Sequence, residues 1–345
     1  MSKQIKMGSL QIGGGAPVSI QSMTNTKTKD IDATLKQIKK LEQAGCEIVR
    51  LAVPDMESAK CIDQIKAKTS LPLVADIHFD YRLAIVCMER GIDKIRINPG
   101  NIGSIDRVKA VADMARQKKI PIRIGVNGGS LEPELLNKYG RSCPDAMVES
   151  AMKHIRLLEQ CDFNDIVVSL KSSTVADTVA AYRLMHQQSS YPLHIGVTEA
   201  GTAYAGIIKS AMGIGALLLD GIGDTIRVSL TADPVEEVRC AKELLKAAGL
   251  RKEGVTVISC PTCARCNVDL IPMAEQVTKA VEHCTKPLKI AVMGCAVNGP
   301  GEAKDADLGL AGGKDCVLLF KKGKILRKIP QEQAVGALLT EIEQI

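Results

Sequence analysis

The chain has 345 residues, 46% of them hydrophobic, and a formal net charge of +6, which is enough apolar material for one large core and a smaller one and too much for intrinsic disorder. Its apolar runs, such as residues 214–219 and 290–293, fall far short of the roughly 20 residues of a membrane span, and the N-terminal MSKQIKMGSLQIGGG has no apolar stretch before a small-residue cleavage site. A cytoplasmic protein with its twelve cysteines reduced is therefore expected; with aromatics at 2% and no Trp, the stacking platforms of a single-strand nucleic-acid binder are missing, so neither nucleic acid nor membrane is an expected partner and a small phosphorylated ligand fits better.

In chain order, short Ile- and Val-rich runs alternate with stretches of helical periodicity. The pattern predicts strands at 18–22, 48–53, 73–78, 94–98, 122–127, 166–171, 193–198 and 225–230. Helices are predicted to begin near Asp30, Met56, Tyr81, Ile105, Asp145, Val175, Tyr204 and Pro234. Asp55 after Pro54, and Asp233 before Pro234, read as helix N-caps. Eight βα units in about 235 residues predict a (β/α)8 TIM-type barrel, which we place at residues 1–247. A doubly wound sheet would want a glycine-rich turn after its first strand, whereas the GGG at 13–15 precedes that strand.

Side chains two apart on a strand share a face. Asp76 and His78, Arg96 and Asn98, Arg123 and Asn127, Ser169 and Lys171, and Arg227, Ser229 and Thr231 therefore pair off at the C-terminal ends of their strands. That is the end at which a barrel keeps its active site. Arg50, Arg96, Arg123, Lys171 and Arg227 would bring five positive charges to one mouth, with Asn127 and Ser229 beside them. Guanidinium forks match phosphate oxygens, so a diphosphate is the natural guest. Each residue alone also has a plain structural explanation, as an ion pair, a satisfied core group or, for Glu199, a helix-start carboxylate.

After AAGLRKEG, which reads as a linker, the rhythm changes, and residues 248–345 read as a small α+β domain. A strand at 255–259, a helix at 270–283 and a strand at 289–293 are followed by a glycine-rich stretch, a hairpin of 315–320 and 324–329 around Lys322 and Gly323, and a last helix. Both the 255–259 and 289–293 strands run into cysteines. Cys260 and Cys263 form a C-x2-C pair, a spacing shared by structural zinc, iron-sulfur clusters and redox pairs. Cys295, set among glycines, is the natural third ligand. Cys46, Cys61, Cys87, Cys161, Cys240, Cys284 and Cys316 sit in apolar or helical contexts and read as packing thiols.

The segments SCPTCARC and MGCAVNGPGEAKDAD, with VRLAVP, ADIHF, RINPGN, GVNGGS, SLKSS, GVTEAG and RVSLT, resemble the IspG (GcpE) family of the non-mevalonate isoprenoid pathway, in its two-domain bacterial form, over essentially the whole chain. The resemblance implies a [4Fe-4S] cluster held by three cysteines and one glutamate, which fall on Cys260, Cys263, Cys295 and Glu302. It implies an iron-sulfur oxidoreductase that opens 2-C-methyl-D-erythritol 2,4-cyclodiphosphate to (E)-4-hydroxy-3-methylbut-2-enyl diphosphate with two electrons from flavodoxin or ferredoxin. It also implies a homodimer in which the cluster domain of one subunit closes over the barrel of the other. Glu302 would be the replaceable ligand, a harder and weaker one than thiolate. Asp76, His78 and Glu199 are candidates for proton delivery at the mouth. Cys266 lies outside the implied ligand set, as a spare thiol or as a competitor of Glu302. Two other readings are a barrel hydrolase or aldolase with a structural zinc, and a non-catalytic iron-sulfur sensor.

Overall fold

The alternation Ile-Lys-Met and Leu-Gln-Ile, joined by a Gly-Ser turn, makes an N-terminal hairpin, β1 (Ile5–Met7) and β2 (Leu10–Ile12). The computed structural model describes residues 1–297, 301 and 303–345; these divide into two units, Met1–Leu250 and Arg251–Ile345.

In the first unit the hairpin is followed by β3 (Ser19–Met23), α1 (Ile31–Ala44), β4 (Ile48–Ala52), α2 (Met56–Lys60), α3 (Ile62–Lys66), β5 (Leu73–Asp76), α4 (Tyr81–Glu89) and β6 (Lys94–Ile97). Then come α5 (Pro99–Ile102), α6 (Ile105–Lys118), β7 (Ile122–Asn127), α7 (Pro133–Tyr139), α8 (Pro144–Gln160), β8 (Ile166–Lys171), α9 (Val175–Gln188), β9 (His194–Ile195), α10 (Ala203–Leu219), β10 (Thr225–Ile226) and α11 (Pro234–Ala247). The eight strands from β3 to β10 pair in parallel in the order β8-β7-β6-β5-β4-β3-β10-β9, and a parallel bridge between Val168 and Leu193 brings the ends of that sheet together. The result is the expected barrel. Helix starts are fixed locally: the carboxylates of Asp30, Asp55, Asp80 and Asp233 each accept a backbone N–H of the first turn, satisfying donors that a helix leaves open.

Strand residues of one parity face the helices and build the main core, including Ile20, Val49, Leu51, Ala75, Ile95, Ile97, Ile124 and Val168. The other parity faces the barrel axis. Met7 and Ile12 of the hairpin pack on the inward Ile48 and Val74, so the hairpin plugs the N-terminal end and leaves the C-terminal end as the mouth.

The second unit has β11 (Thr256–Ser259), α12 (Leu270–Ala280), β12 (Lys289–Met293), β13 (Leu308–Gly313), β14 (Cys316–Lys321), β15 (Lys324–Ile329) and α13 (Ala334–Glu343). Its sheet runs β11-β12-β13-β14-β15, parallel over the first three and antiparallel over the last pairs. Leu270, Val277, Leu338 and Ile342 from the helices cover one face over Ile290, Val292, Leu308 and Leu310. Ala303, Ala306 and Phe320 pack with Ala291, Met293 and Ala311 in a second cluster.

Several features go beyond the sequence reading: the hairpin, α7 and β13. The strands β1 and β2 are three residues each, too short for periodicity to register. The sequence of β13 is LGLAGG, which reads as loop because glycine weakens strands. Here Gly309 is required by packing, since a methyl group on it would meet the ring of Phe320, and one on Gly312 would meet the carbonyl of Gly294.

Candidate functional site

At the barrel mouth a cavity of about 240 Å³ is lined by Arg50, Asp76, His78, Arg96, Arg123, Asn127, Ser169, Lys171, Thr198, Arg227 and Ser229. The residues come from β4 to β8, mostly from their C-terminal halves, with Arg123 one residue into β7, and from the segments after β5, β9 and β10. All five expected cations line it, with Asn127 and Ser229, and so do Asp76 and His78. Glu199 does not: it follows the cavity residue Thr198, is exposed, and has φ of +53°, a left-handed conformation that few non-glycine residues adopt and that is frequent at functional sites. Glu302 lies outside the described residues.

The cations are held closely. Arg96 donates from Nη1 to Asp76 Oδ1 at 3.2 Å, and Asp76 Oδ2 lies 3.8 Å from Arg50 Nε and 3.6 Å from His78 Nε2. Burial raises the Asp76 pKa, but Arg50, the His78 hydrogen bond, Arg96 and Arg123 outweigh it and hold the carboxyl far below the usual carboxylate range. Asp76 is therefore a fixed anion, a counter-ion for two guanidinium groups and a poor proton source. On the helix side Arg227 Nε lies 3.8 Å from Glu237, whose carboxylate also accepts from Ser22 Oγ and the Leu230 N–H.

Among the described residues no carboxylate lies within ion-pair distance of Arg123 or Lys171, and the cations of the cup act on one another. Burial, reinforced by Arg227, pulls Arg50 down to about 9. Burial with the same neighbours pushes Lys171 well below the ordinary lysine value. Two glycines at inward positions make the crowding possible. A methyl group on Gly125 would lie 2.5 Å from Arg96 Nε, and one on Gly196 would lie 3.0 Å from Lys171 Nζ. The signal for both was present, an isolated glycine inside a strand, which marks close approach. Thr198 was also missed as a lining residue; it carries the alternation two positions beyond Gly196. Such a cup, dense in bidentate donors and short of anions, is built to accept phosphate oxygens.

In the second unit the parallel register pairs Ser259 with Val292, so the next residues of the two chains, Cys260 and the Gly294-Cys295 step, emerge at one edge of the sheet. The Gly294 N–H donates to Cys260 Sγ at 3.2 Å, the kind of N–H to sulfur bond that tunes a thiolate ligand. Cys295 is buried and Cys263 exposed. The backbone N–H of Arg265, then its side chain, pull the Cys263 thiol below its ordinary value, favouring the thiolate that binds metal. Cys266 has a partner of its own: its thiol donates to the Val268 carbonyl at 3.1 Å and lies over Gly294, where a methyl group would come within 2.6 Å of it. By contrast, burial pushes the thiols of Cys46 and Cys87 up to about 12 and Cys240 up to about 11. Among the described residues no three His, Cys, Asp or Glu side chains converge on one metal-sized point. The donor set of Cys260, Cys263 and Cys295 nevertheless suits the larger sulfide-bridged core: two cysteines at one sheet edge, the sulfur of one already hydrogen-bonded, and a third thiol exposed and pulled below its ordinary value.

Residues 2–242 match the model of the GcpE TIM-barrel domain, and residues 256–344 match that of the GcpE protein C-terminal domain. Similar proteins include 4-hydroxy-3-methylbut-2-en-1-yl diphosphate synthase (flavodoxin) of Ruminiclostridium cellulolyticum, 59% identical over 100% of this chain and 98% of that protein. The proteins of the same name from Clostridium perfringens, at 57% identity over 100% of this chain and 99% of that one, and Geobacter sulfurreducens, at 56% over 100% and 98%, are close behind. Among solved structures, dihydropteroate synthase of Yersinia pestis superposes with a TM-score of 0.52 at 12% identity, covering 72% of this chain and 100% of that one. The Stenotrophomonas maltophilia enzyme gives 0.52 at 13%, covering 71% and 98%; at such identity the likeness concerns the barrel fold alone. With both domain models matched in order and full-length relatives at more than half identity, the chain belongs to the GcpE family.

Proposed function

We propose that the chain catalyses the reaction for which its relatives are named, forming (E)-4-hydroxy-3-methylbut-2-enyl diphosphate by reductive ring opening and dehydroxylation of 2-C-methyl-D-erythritol 2,4-cyclodiphosphate in the isoprenoid pathway. The observation that carries the reading is the convergence of Arg50, Arg96, Arg123, Lys171 and Arg227 on one cavity. These five groups hold the two phosphates, with Asn127 and Ser229 as neutral donors at the rim. Opening the ring turns a diphosphate diester into a monoester and adds one negative charge to it. The cup is preorganised to meet that charge where it develops, which is the larger part of electrostatic catalysis. Fixing both phosphates also fixes the carbon skeleton relative to the electron source.

Cys260, Cys263, Cys295 and Glu302 are the residues we assign to a [4Fe-4S] cluster. When bound, the cluster supplies the two electrons that no side chain provides. The pairing of Cys266 with Val268 supports its exclusion from the ligand set. Asp76 keeps Arg50 and Arg96 aligned, leaving His78 and Glu199 as the groups at or beside the mouth for moving a proton to the departing hydroxyl. The electron donor is flavodoxin, as in the relatives' name, or ferredoxin. The family pattern further suggests a homodimer with each cluster domain serving the other subunit's barrel. With all twelve thiols free, a reducing compartment, the cytoplasm, suits the protein; no helix among the described residues is long and apolar enough to cross a membrane.

Anaerobic reconstitution followed by incubation with the cyclodiphosphate and dithionite tests the proposal. The expected result is about four irons and four sulfides per chain, as the [4Fe-4S] formula requires, and formation of the open diphosphate. Zinc in place of iron, or iron-loaded protein that leaves the cyclodiphosphate unchanged, contradicts it.

A further inference from the structure

Below the cup the barrel axis is lined by polar groups, where barrels usually stack branched apolar side chains. Lys94 lies two residues before Arg96 on β6 and therefore on the same inward face, one step deeper. It is fully buried, and its Nζ has no hydrogen-bond partner. In register its neighbour on β5 is the apolar Val74. Arg123 on β7, in register with Arg96, is equally enclosed; it donates to Gln21 Oε1 of β3 at 3.4 Å, and its Nε is unpartnered among the described residues. His194 on β9, also fully buried, bonds Thr225 of β10 through Nδ1 and leaves Nε2 unpartnered.

The charged groups around this chamber are almost all of one sign: Arg50 on β4, Arg96 on β6 itself, Arg123 on β7, Lys171 on β8 and Arg227 beyond β10. The carboxylate on β5, Asp76, is already committed to Arg50, Arg96 and His78. A buried cation that faces other cations and has no hydrogen-bond partner among the described residues is untenable, and one of the group must give up its proton. A guanidinium effectively does not, so the amine yields. Burial first, then Arg123 and Arg50, act on Lys94 in that direction.

We propose that Lys94 is the reserve cation of the barrel: a neutral amine while the cup is empty, it takes one proton from solvent when an anionic diphosphate fills the cup, and so adds a positive charge beneath the phosphates. No bond of the ligand changes in this step; the amine gains the proton that the buffer loses. Lys94 does not line the cavity, so it acts through Arg123 and Arg50 as a positioning residue, keeping their charge matched to the ligand's. A binding site gains selectivity by this device. A neutral sugar does not favour charging the amine, whereas an anionic diphosphate does, and the extra charge is present when ring opening makes the ligand more anionic.

The inference rests on the diphosphate reading of the cup, and its test separates the two. The cyclodiphosphate, whose diester groups do not titrate near neutral pH, is titrated calorimetrically into the anaerobic holoprotein without reductant, in two phosphate-free buffers of different ionisation enthalpy. Burial and its guanidinium neighbours act on Lys171 in the same direction, so wild type is expected to take up at least one proton per ligand bound; Lys94→Met is expected to bind with about one proton fewer. Equal uptake in the two proteins, or no uptake by wild type, overturns the assignment. Should Lys94→Met not fold, the pH dependence of wild-type affinity decides. Affinity is expected to fall about tenfold per pH unit through the range where the amine is neutral when free and charged when bound, and a flat profile from about pH 6 to 9 overturns the proposal. Absence of binding at every pH overturns the functional reading and this inference with it.

Discussion

In the barrel unit the cations of the cup are mostly buried and held by Asp76 and Glu237, whereas in the second unit the thiols proposed as metal ligands differ in exposure and partners. Most of the cup residues stand on hydrogen-bonded strands, and Arg96, Arg123 and Lys171 are buried. The crowding of like charge is a standing cost, held down by Asp76 and Glu237 and relieved when an anion enters. In the second unit Cys260 has its N–H donor from Gly294 and Cys295 is buried, but Cys263 is exposed. One site is strained and complete; the other is unstrained and completed by what it binds. On the proposed function, binding energy is stored in the barrel as repulsion that an anion relieves, and in the second unit as thiols that a metal would bring together.

Substitutions can break this contrast. The largest effect is expected for Cys295→Ser, which should lose its iron and reduce turnover by more than about 100-fold, since even residues behind a metal ligand are worth 10- to 100-fold; iron and sulfide analysis alongside turnover is the check. Next, Arg123→Met should retain iron yet weaken cyclodiphosphate binding by about 2–5 kcal/mol, roughly thirtyfold or more. The same change replaces a buried cation among cations with an apolar side chain, and the melting temperature of the free protein should hold or rise. A variant that is both less stable and equally tight in binding would refute the account of strain.

Asp76→Asn acts in the opposite sense. It strips the counter-ion from Arg50 and Arg96 and should cost about 3 kcal/mol in urea unfolding. The sign of its pH dependence follows. The folded pKa of Asp76 is depressed, so its contribution is fully present above the unfolded value near 3.9 and fades as pH falls below it. Wild type and Asp76→Asn should therefore converge in stability on acidification. The smallest effect is expected for Cys266→Ser. Its thiol bonds the Val268 carbonyl and packs over Gly294, so iron content should stay at the wild-type level, with at most about 1.5 kcal/mol lost in stability. Iron loss in this variant would make Cys266 a ligand.

How much of this was legible in the sequence divides along the same line. The cup was readable because strand periodicity is strict: Arg96, Arg123, Lys171 and Arg227 sit at the same phase of four strands, and phase alone sends them to one mouth. Lys94 has that phase too, but nothing in a one-dimensional pattern announces that a lysine lies under a neighbour's arginine. Gly125 and Gly196 are likewise visible as residues and meaningful only once the arginine and lysine they make room for are in place. Glu199 had the right neighbourhood but not a place in the cavity lining, because the chain turns left-handed at that residue. In the second unit the cysteine spacing was plain. The close approach of Cys260 to Gly294 depends on the parallel pairing of β11 with β12, a tertiary fact that local sequence does not carry, and Glu302 falls outside the described residues.

The central claim is a division of labour: the barrel's cations bind the diphosphate, and the cysteines of the second unit hold the electron source. Calorimetric binding of the cyclodiphosphate to Cys295→Ser protein tests it most directly. The account predicts affinity within about tenfold of wild type, a difference of no more than about 1.4 kcal/mol, in a protein that has lost its iron. A loss of affinity as large as that of Arg123→Met would contradict it, by making the metal rather than the arginines the principal hold on the ligand.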